Sequence, residues 1–195
     1  MRPEFLVGCS PVGLLTWLGL RRGDGYPNLD ALLKELRKAL PDDESVLIRY
    51  IAIVVVLVGK VAWADGRLTP KEEETLRDLL AHIEGLSPSG VEAVCASLRG
   101  KLPEVSDDEL ALCYRELKSL CDAGERVEIL RLLAKLAEAD GETSVAEHHE
   151  LEMIASELGI SIADLATVER EAASAQRASH VMAKGRADPA SRSSG

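Results

Sequence analysis

Two acidic residues recur at the same spacing in two separate segments of the chain. Asp65 and Glu72 in the first segment match Asp140 and Glu147 in the second, 75 residues further on. In each segment an Asp-Gly pair precedes a Thr or Ser, and the glutamate follows that hydroxyl residue by three positions. Carboxylates in this pattern can coordinate a divalent cation, and they can equally cap the backbone of a helix that starts there.

Helix capping explains these residues without any ligand. The glycine of each Asp-Gly pair supplies the left-handed residue that ends the incoming helix. Thr69 and Ser144 are the predicted N-caps of the next helix, and Glu72 and Glu147 complete a capping box with them. The aspartate of each pair can bond its own backbone in the turn.

A metal site is the alternative interpretation. The Asp, the Gly, the residue two after the Gly and the Glu correspond to positions 5, 6, 8 and 12 of an EF-hand loop. Positions 1 and 3 are Val61 and Trp63 in the first copy, and position 8 is Thr143 in the second. Neither turn is therefore an EF-hand. A shared site remains open, in which all four carboxylates converge across the two repeats and bind a divalent metal such as calcium or zinc.

Caps and apolar periodicity predict about eight helices and no strands, hence an all-α bundle. The predicted helices cover residues 29–40, 44–64, 70–84, from 88 onward, 107–122, 125–139, 145–158 and 162–182. Two related helical-hairpin repeats, about 45–100 and 120–175, lie within a helical domain over 28–182. An apolar arm over 1–27 precedes this domain, and a disordered tail over 183–195 follows it.

Composition excludes several classes of function. The formal net charge of -10 argues against nucleic acid as a partner. Cys9, Cys95, Cys113 and Cys121 show no metal-ligand or disulfide spacing, which fits a reducing cytoplasm. The common local motifs of nucleophilic and nucleotide-dependent enzymes are absent from the sequence.

Two further features could carry function. His148 lies one helical turn from Glu152, a spacing that can hold zinc, although a solvated helix face is the favoured interpretation. The arm carries Trp17 beside Leu18, which would suit peripheral membrane contact as an alternative to docking on the domain. The apolar run 51–58 is too short to span a bilayer and predicts a buried core helix.

The two repeats also resemble a known family. AWADGRLTPKEEETLRDLL and AEADGETSVAEHHELEMIASELGIS look like the TerB-like domain of tellurite-resistance proteins, which also occurs in the DjlA co-chaperones. The resemblance implies a bundle of two related halves, located in the cytosol or at the inner face of the bacterial membrane. It also implies a role in stress-response or tellurite-resistance complexes, with metal-binding acidic residues at Asp65, Glu72, Asp140 and Glu147. Thr143 and the N-terminal arm depart from the family pattern.

The sequence thus predicts a non-enzymatic helical scaffold for protein partners, with a divalent metal as a candidate ligand between the repeats. The alternative is a metal-dependent enzyme that uses the paired carboxylates, which would require an open coordination position inside a pocket.

Overall fold

The computed structural model describes residues 27–39, 44–66, 68–81, 86–99 and 105–186. These ranges contain helices and turns and no strand. The helices are α1 (Pro27–Ala39), α2 (Ser45–Ala62), α3 (Pro70–Ala81), α4 (Pro88–Arg99), α5 (Asp107–Leu120), α6 (Ala123–Ala137), α7 (Val145–Leu158) and α8 (Ile162–Arg186). The predicted all-α bundle of eight helices is confirmed. Residues 1–26 of the predicted arm and 187–195 of the predicted tail lie outside the described residues, whereas Pro27 and residues 183–186 belong to helices α1 and α8.

Helix α2 is the centre of the bundle. From Ile51 to Val58 every residue is apolar and buried, so the helix has no polar face to turn toward water. It packs against α1, α4, α5, α6 and α7. Burying each large aliphatic side chain contributes roughly 1.5–3 kcal/mol, so this one helix supplies much of the driving force for folding.

By length and composition α2 could also cross a membrane, and it is the one helix of the described residues that could. In the bundle, however, 67% of it is buried by the other helices. This agrees with the prediction of a core helix.

Helices of the two predicted repeats pack against each other across the bundle. Helix α2 of the first packs on α7 of the second, while α3 packs on α6. Within each repeat the last two helices also contact each other, α3 with α4 and α7 with α8. This is the pattern that a twofold relation between the halves requires, and the duplication itself stays a prediction.

Helix ends follow the predicted signals closely. Gly66, Gly141 and Gly159 have φ of 87°, 95° and 71°, the left-handed region that glycine enters without a steric penalty. Ser106 forms a capping box with Glu109 at the start of α5. Helix α6 begins with a capping box that the sequence analysis missed, in which Asp122 bonds Glu125, and so it starts at Ala123 rather than near residue 125. Helix α8 runs to Arg186, beyond the predicted end near residue 182.

The capping glutamate Glu109 accepts backbone N–H groups at the starts of two helices. Glu109 is buried, and its Oε2 accepts the backbone N–H of Ser106 at 2.8 Å. Its Oε1 accepts the backbone N–H of Leu29, in the first turn of α1, at 3.2 Å. The first turn of a helix carries N–H groups without intrahelical partners, so this carboxylate ties the start of α1 to the start of α5.

A buried ion pair joins α2 to α5. The guanidinium of Arg49 donates to both carboxylate oxygens of Glu116, through Nε to Oε2 and through Nη2 to Oε1 at 2.6 Å. The Glu116 side chain is almost fully buried, whereas Arg49 keeps partial access to water. The two-pronged geometry compensates part of the cost of removing the carboxylate from solvent.

We expect Arg49→Met to lower the free energy of unfolding by about 3–5 kcal/mol, because it leaves the Glu116 carboxylate buried and unpaired. The double variant Arg49→Met with Glu116→Leu should recover most of this loss, since it removes the charge as well. Urea denaturation followed by circular dichroism measures both values.

The matched control is Arg131→Met, which breaks the exposed pairs of Arg131 with Glu128 and Glu171. Exposed pairs contribute little, so a loss equal to that of Arg49→Met would contradict this account of the buried pair.

Candidate carboxylate site

The two repeat glutamates first act as caps of their own helices. The backbone N–H of Thr69 donates to Glu72 Oε2 at 2.5 Å, and the N–H of Glu72 donates to Thr69 Oγ1 at 3.2 Å. In the second repeat, the N–H of Ser144 donates to Glu147 Oε2 at 2.7 Å, and that of Glu147 to Ser144 Oγ at 3.2 Å. Both predicted capping boxes are confirmed, and they aim each glutamate back over the start of its helix.

The same two side chains meet in the interior of the bundle. Glu72 and Glu147 are each only 4% exposed, and the carboxyl group of Glu147 lies close enough to raise the pKa of Glu72. Two ionised carboxylates at such a position repel one another, which favours a proton on one of them. The starts of α3 and α7 therefore bring two acidic side chains together in the interior.

Burial determines the protonation of this pair. It raises the pKa of Glu72 from an ordinary 4.5 to about 7, and the neighbouring carboxyl of Glu147 adds to the rise. The hydrogen bonds from the backbone N–H and the hydroxyl of Thr69 oppose it. Near neutral pH, Glu72 is thus partly a neutral acid that can donate to Glu147.

The aspartates of the two turns lie elsewhere. Asp65 and Asp140 are exposed. Asp140 Oδ1 accepts the backbone N–H of Glu142 at 3.1 Å, which is the predicted turn bond. Across the described ranges, no three His, Cys, Asp or Glu side chains are arranged to hold a metal ion. The structure therefore brings together two of the four predicted metal ligands.

Few carboxyl oxygens of Glu72 and Glu147 are left to coordinate a cation. One oxygen of Glu72 and one of Glu147 already accept backbone N–H groups. Two oxygens remain, whereas calcium takes six to eight. Binding at the pair would require Glu72 to lose its proton and other oxygens to reach a buried position, so the metal site stays a prediction.

A second polar cluster lies on the outer side of α7, where a cavity of about 340 Å³ opens between α6, α7 and α8. His148 Nδ1 is 2.6 Å from Glu169 Oε1 on α8, and its Nε2 is 3.5 Å from Glu152 Oε1. Thr143 Oγ1 donates to Glu138 Oε2 at 2.8 Å beside the same cavity. The sequence predicts the pairing of His148 with Glu152 but gives no local signal for Glu169, because Glu169 lies 21 residues from His148.

Comparison with known proteins gives one match. The model of the family described as tellurite resistance protein TerB matches residues 51–170. This range includes both Asp-Gly turns, both capping glutamates and the cavity on α7. No curated protein and no solved structure matches the chain significantly.

We expect the stability of the protein to fall as pH rises from about 5 to 8. Unfolded Glu72 ionises near pH 4.5, while folded Glu72 stays protonated to about pH 7, so the folded state holds more protons in this window and loses stability as pH rises. A pKa difference of one corresponds to about 1.4 kcal/mol. Ionisation of Glu72 in the folded protein should therefore lower the free energy of unfolding at pH 8 by on the order of 3 kcal/mol.

Glu72→Gln should remove most of this pH dependence, because glutamine is neutral, accepts from Thr69 and can donate to Glu147. The variant should be more stable than the wild type at pH 8 and similar to it near pH 5, measured by urea denaturation with a chelator present. Glu125→Gln is the control, since Glu125 is the glutamate of a capping box on the protein surface. If Glu72→Gln kept the pH profile of the wild type, as Glu125→Gln should, the raised pKa of Glu72 would be refuted.

Proposed function

The chain belongs to the tellurite resistance protein TerB family, and on this premise we propose that it is a non-enzymatic helical scaffold that binds protein partners in a stress-response or tellurite-resistance complex. The matched range covers the helices from the start of the buried run in α2 into α8. The formal net charge of the full chain, -10, favours partners with basic surfaces.

The use of the buried carboxylates supports a scaffold rather than an enzyme. In the described part of the chain the buried charged residues are Glu72, Glu109, Glu116 and Glu147. Three of them complete capping boxes, and Glu116 pairs with Arg49. Each therefore has a structural role in holding helix ends or packed helices together, and the alternative, a metal-dependent enzyme at the paired carboxylates, would have to disrupt that role.

The outer face of α7 is the observation on which the proposal depends. Val145 is 88% exposed and Met153 is 48% exposed. Their spacing of eight residues places both on one side of the helix, with His149 between them. Glu152 and Glu157 are exposed on the same helix. Apolar side chains among carboxylates suit a partner surface that combines apolar and basic residues.

The proposal includes a location and a second contact. We place the domain in the cytoplasm, where its thiols stay reduced. Cys113 and Cys121 are buried, and burial raises the pKa of Cys113 to about 12.

The N-terminal arm is proposed as a peripheral membrane contact. Liposome flotation of the full chain against a version that begins at Asn28 tests the arm, and equal flotation would exclude the contact.

A divalent ion at the paired carboxylates is the remaining part of the proposal, supported by the convergence of Glu72 and Glu147 from different repeats. Calorimetric titration with calcium, zinc and manganese tests it, on the wild type and on Glu72→Gln. Heat that the variant abolishes would support an ion at the pair, whereas no heat from the wild type would exclude it.

We expect a photo-crosslinking amino acid at position 153 to form specific adducts in living cells, because this face is exposed and partly apolar. The same probe at Lys118, exposed on α5, is the matched control. Val145→Ser in the probe-carrying chain should reduce the adduct at 153 by removing an apolar contact. Identical adducts from both probe positions, unaffected by Val145→Ser, would contradict the assignment of this face to partners.

A further inference from the structure

The orientation of His148 is determined by a residue from another helix. Glu169 on α8 lies with Oε1 2.6 Å from His148 Nδ1. An ionised carboxylate only accepts hydrogen bonds, so Nδ1 carries the proton and donates it to Glu169. In the neutral imidazole the lone pair is then on Nε2, the atom that a metal ion would use.

That nitrogen faces a second acceptor. Glu152, one turn further along α7, holds Oε1 3.5 Å from Nε2. This distance is longer than a normal N–H···O hydrogen bond, which is about 2.7–3.2 Å. Two ligands bound tetrahedrally at about 2.0–2.1 Å from one zinc ion lie roughly 3.3 Å apart. In the neutral imidazole, a nitrogen lone pair and a carboxylate oxygen therefore face each other at nearly the spacing that an ion between them would impose.

We propose that His148 Nε2 and the Glu152 carboxylate bind a zinc ion on the outer face of α7, with Glu169 as the residue that orients the imidazole. A carboxylate behind a metal-bound histidine fixes its tautomer and raises its basicity. Water completes the coordination, since no described group of three protein ligands is arranged to hold an ion.

Access and ligand chemistry both support zinc at this position. The His148 and Glu152 side chains are 49% and 53% exposed, so an ion reaches them without opening the bundle. Imidazole suits zinc, whereas calcium prefers an all-oxygen site. The ligands differ from the buried pair, which offers carboxyl oxygens alone, so this inference does not depend on the proposed function.

Zinc titration of the full chain, in competition with a chromophoric chelator, tests the site. We expect His148→Gln and Glu152→Gln each to abolish the tightest zinc binding, and Glu169→Gln to weaken it by about 10–100-fold. His149→Gln is the matched control, because this neighbouring histidine is also exposed and lies 3.8 Å from the other oxygen of Glu152. It should leave zinc affinity unchanged.

A second measurement identifies the nitrogen atom that binds zinc. In a ¹⁵N spectrum of the histidine side chains, zinc should shift the Nε2 resonance of His148 and leave that of His149 in place. The inference is overturned if the wild type does not bind zinc, or if His149→Gln weakens binding as much as His148→Gln does. It is equally overturned if calcium displaces the zinc, or if Glu72→Gln abolishes the binding, because the ion would then belong to the buried carboxylates.

Discussion

A helix that is apolar on every side constrains the rest of this bundle. From Ile51 to Val58 no residue of α2 can face water without losing hydrophobic stabilisation, so other helices must cover it on all sides. Five helices do so, among them α4 of the first predicted repeat and α6 and α7 of the second. With α2 and α6 in contact, the starts of α3 and α7 are brought to one place inside the protein. The meeting of the two capping glutamates follows from covering this helix.

Buried capping glutamates are the second organising feature. A capping box normally satisfies two backbone groups within one helix. Here Glu109 also caps the first turn of α1, and Glu72 and Glu147 come together in the interior. These capping glutamates thus also form contacts between helices. Their cost is the desolvation of charge, which the proton on Glu72 and the backbone donors offset.

The outer surface has a different character from this interior. On α7, His148 and Glu152 are accessible to solvent, as are the apolar Val145 and Met153, and Glu169 on α8 is partly accessible. Such groups contribute little to stability, because water competes for their hydrogen bonds and screens their charges. Residues that the fold does not need are free to take part in binding. In this chain the contrast separates the acids that hold the bundle together from the acids exposed on its surface.

Local information in the chain was sufficient for the helices, their caps and the central position of α2, because periodicity, glycine and the capping pattern act over a few residues. Thr69 with Glu72, and Ser144 with Glu147, were recognisable for that reason. The box of Asp122 and Glu125 had the same signal and was overlooked. Only the packed molecule decided that Glu72 contacts Glu147 and excludes water, and that Glu169 from α8 orients His148. Both contacts join residues far apart in the chain, and their partners depend on how the helices pack around α2 rather than on any spacing in the sequence.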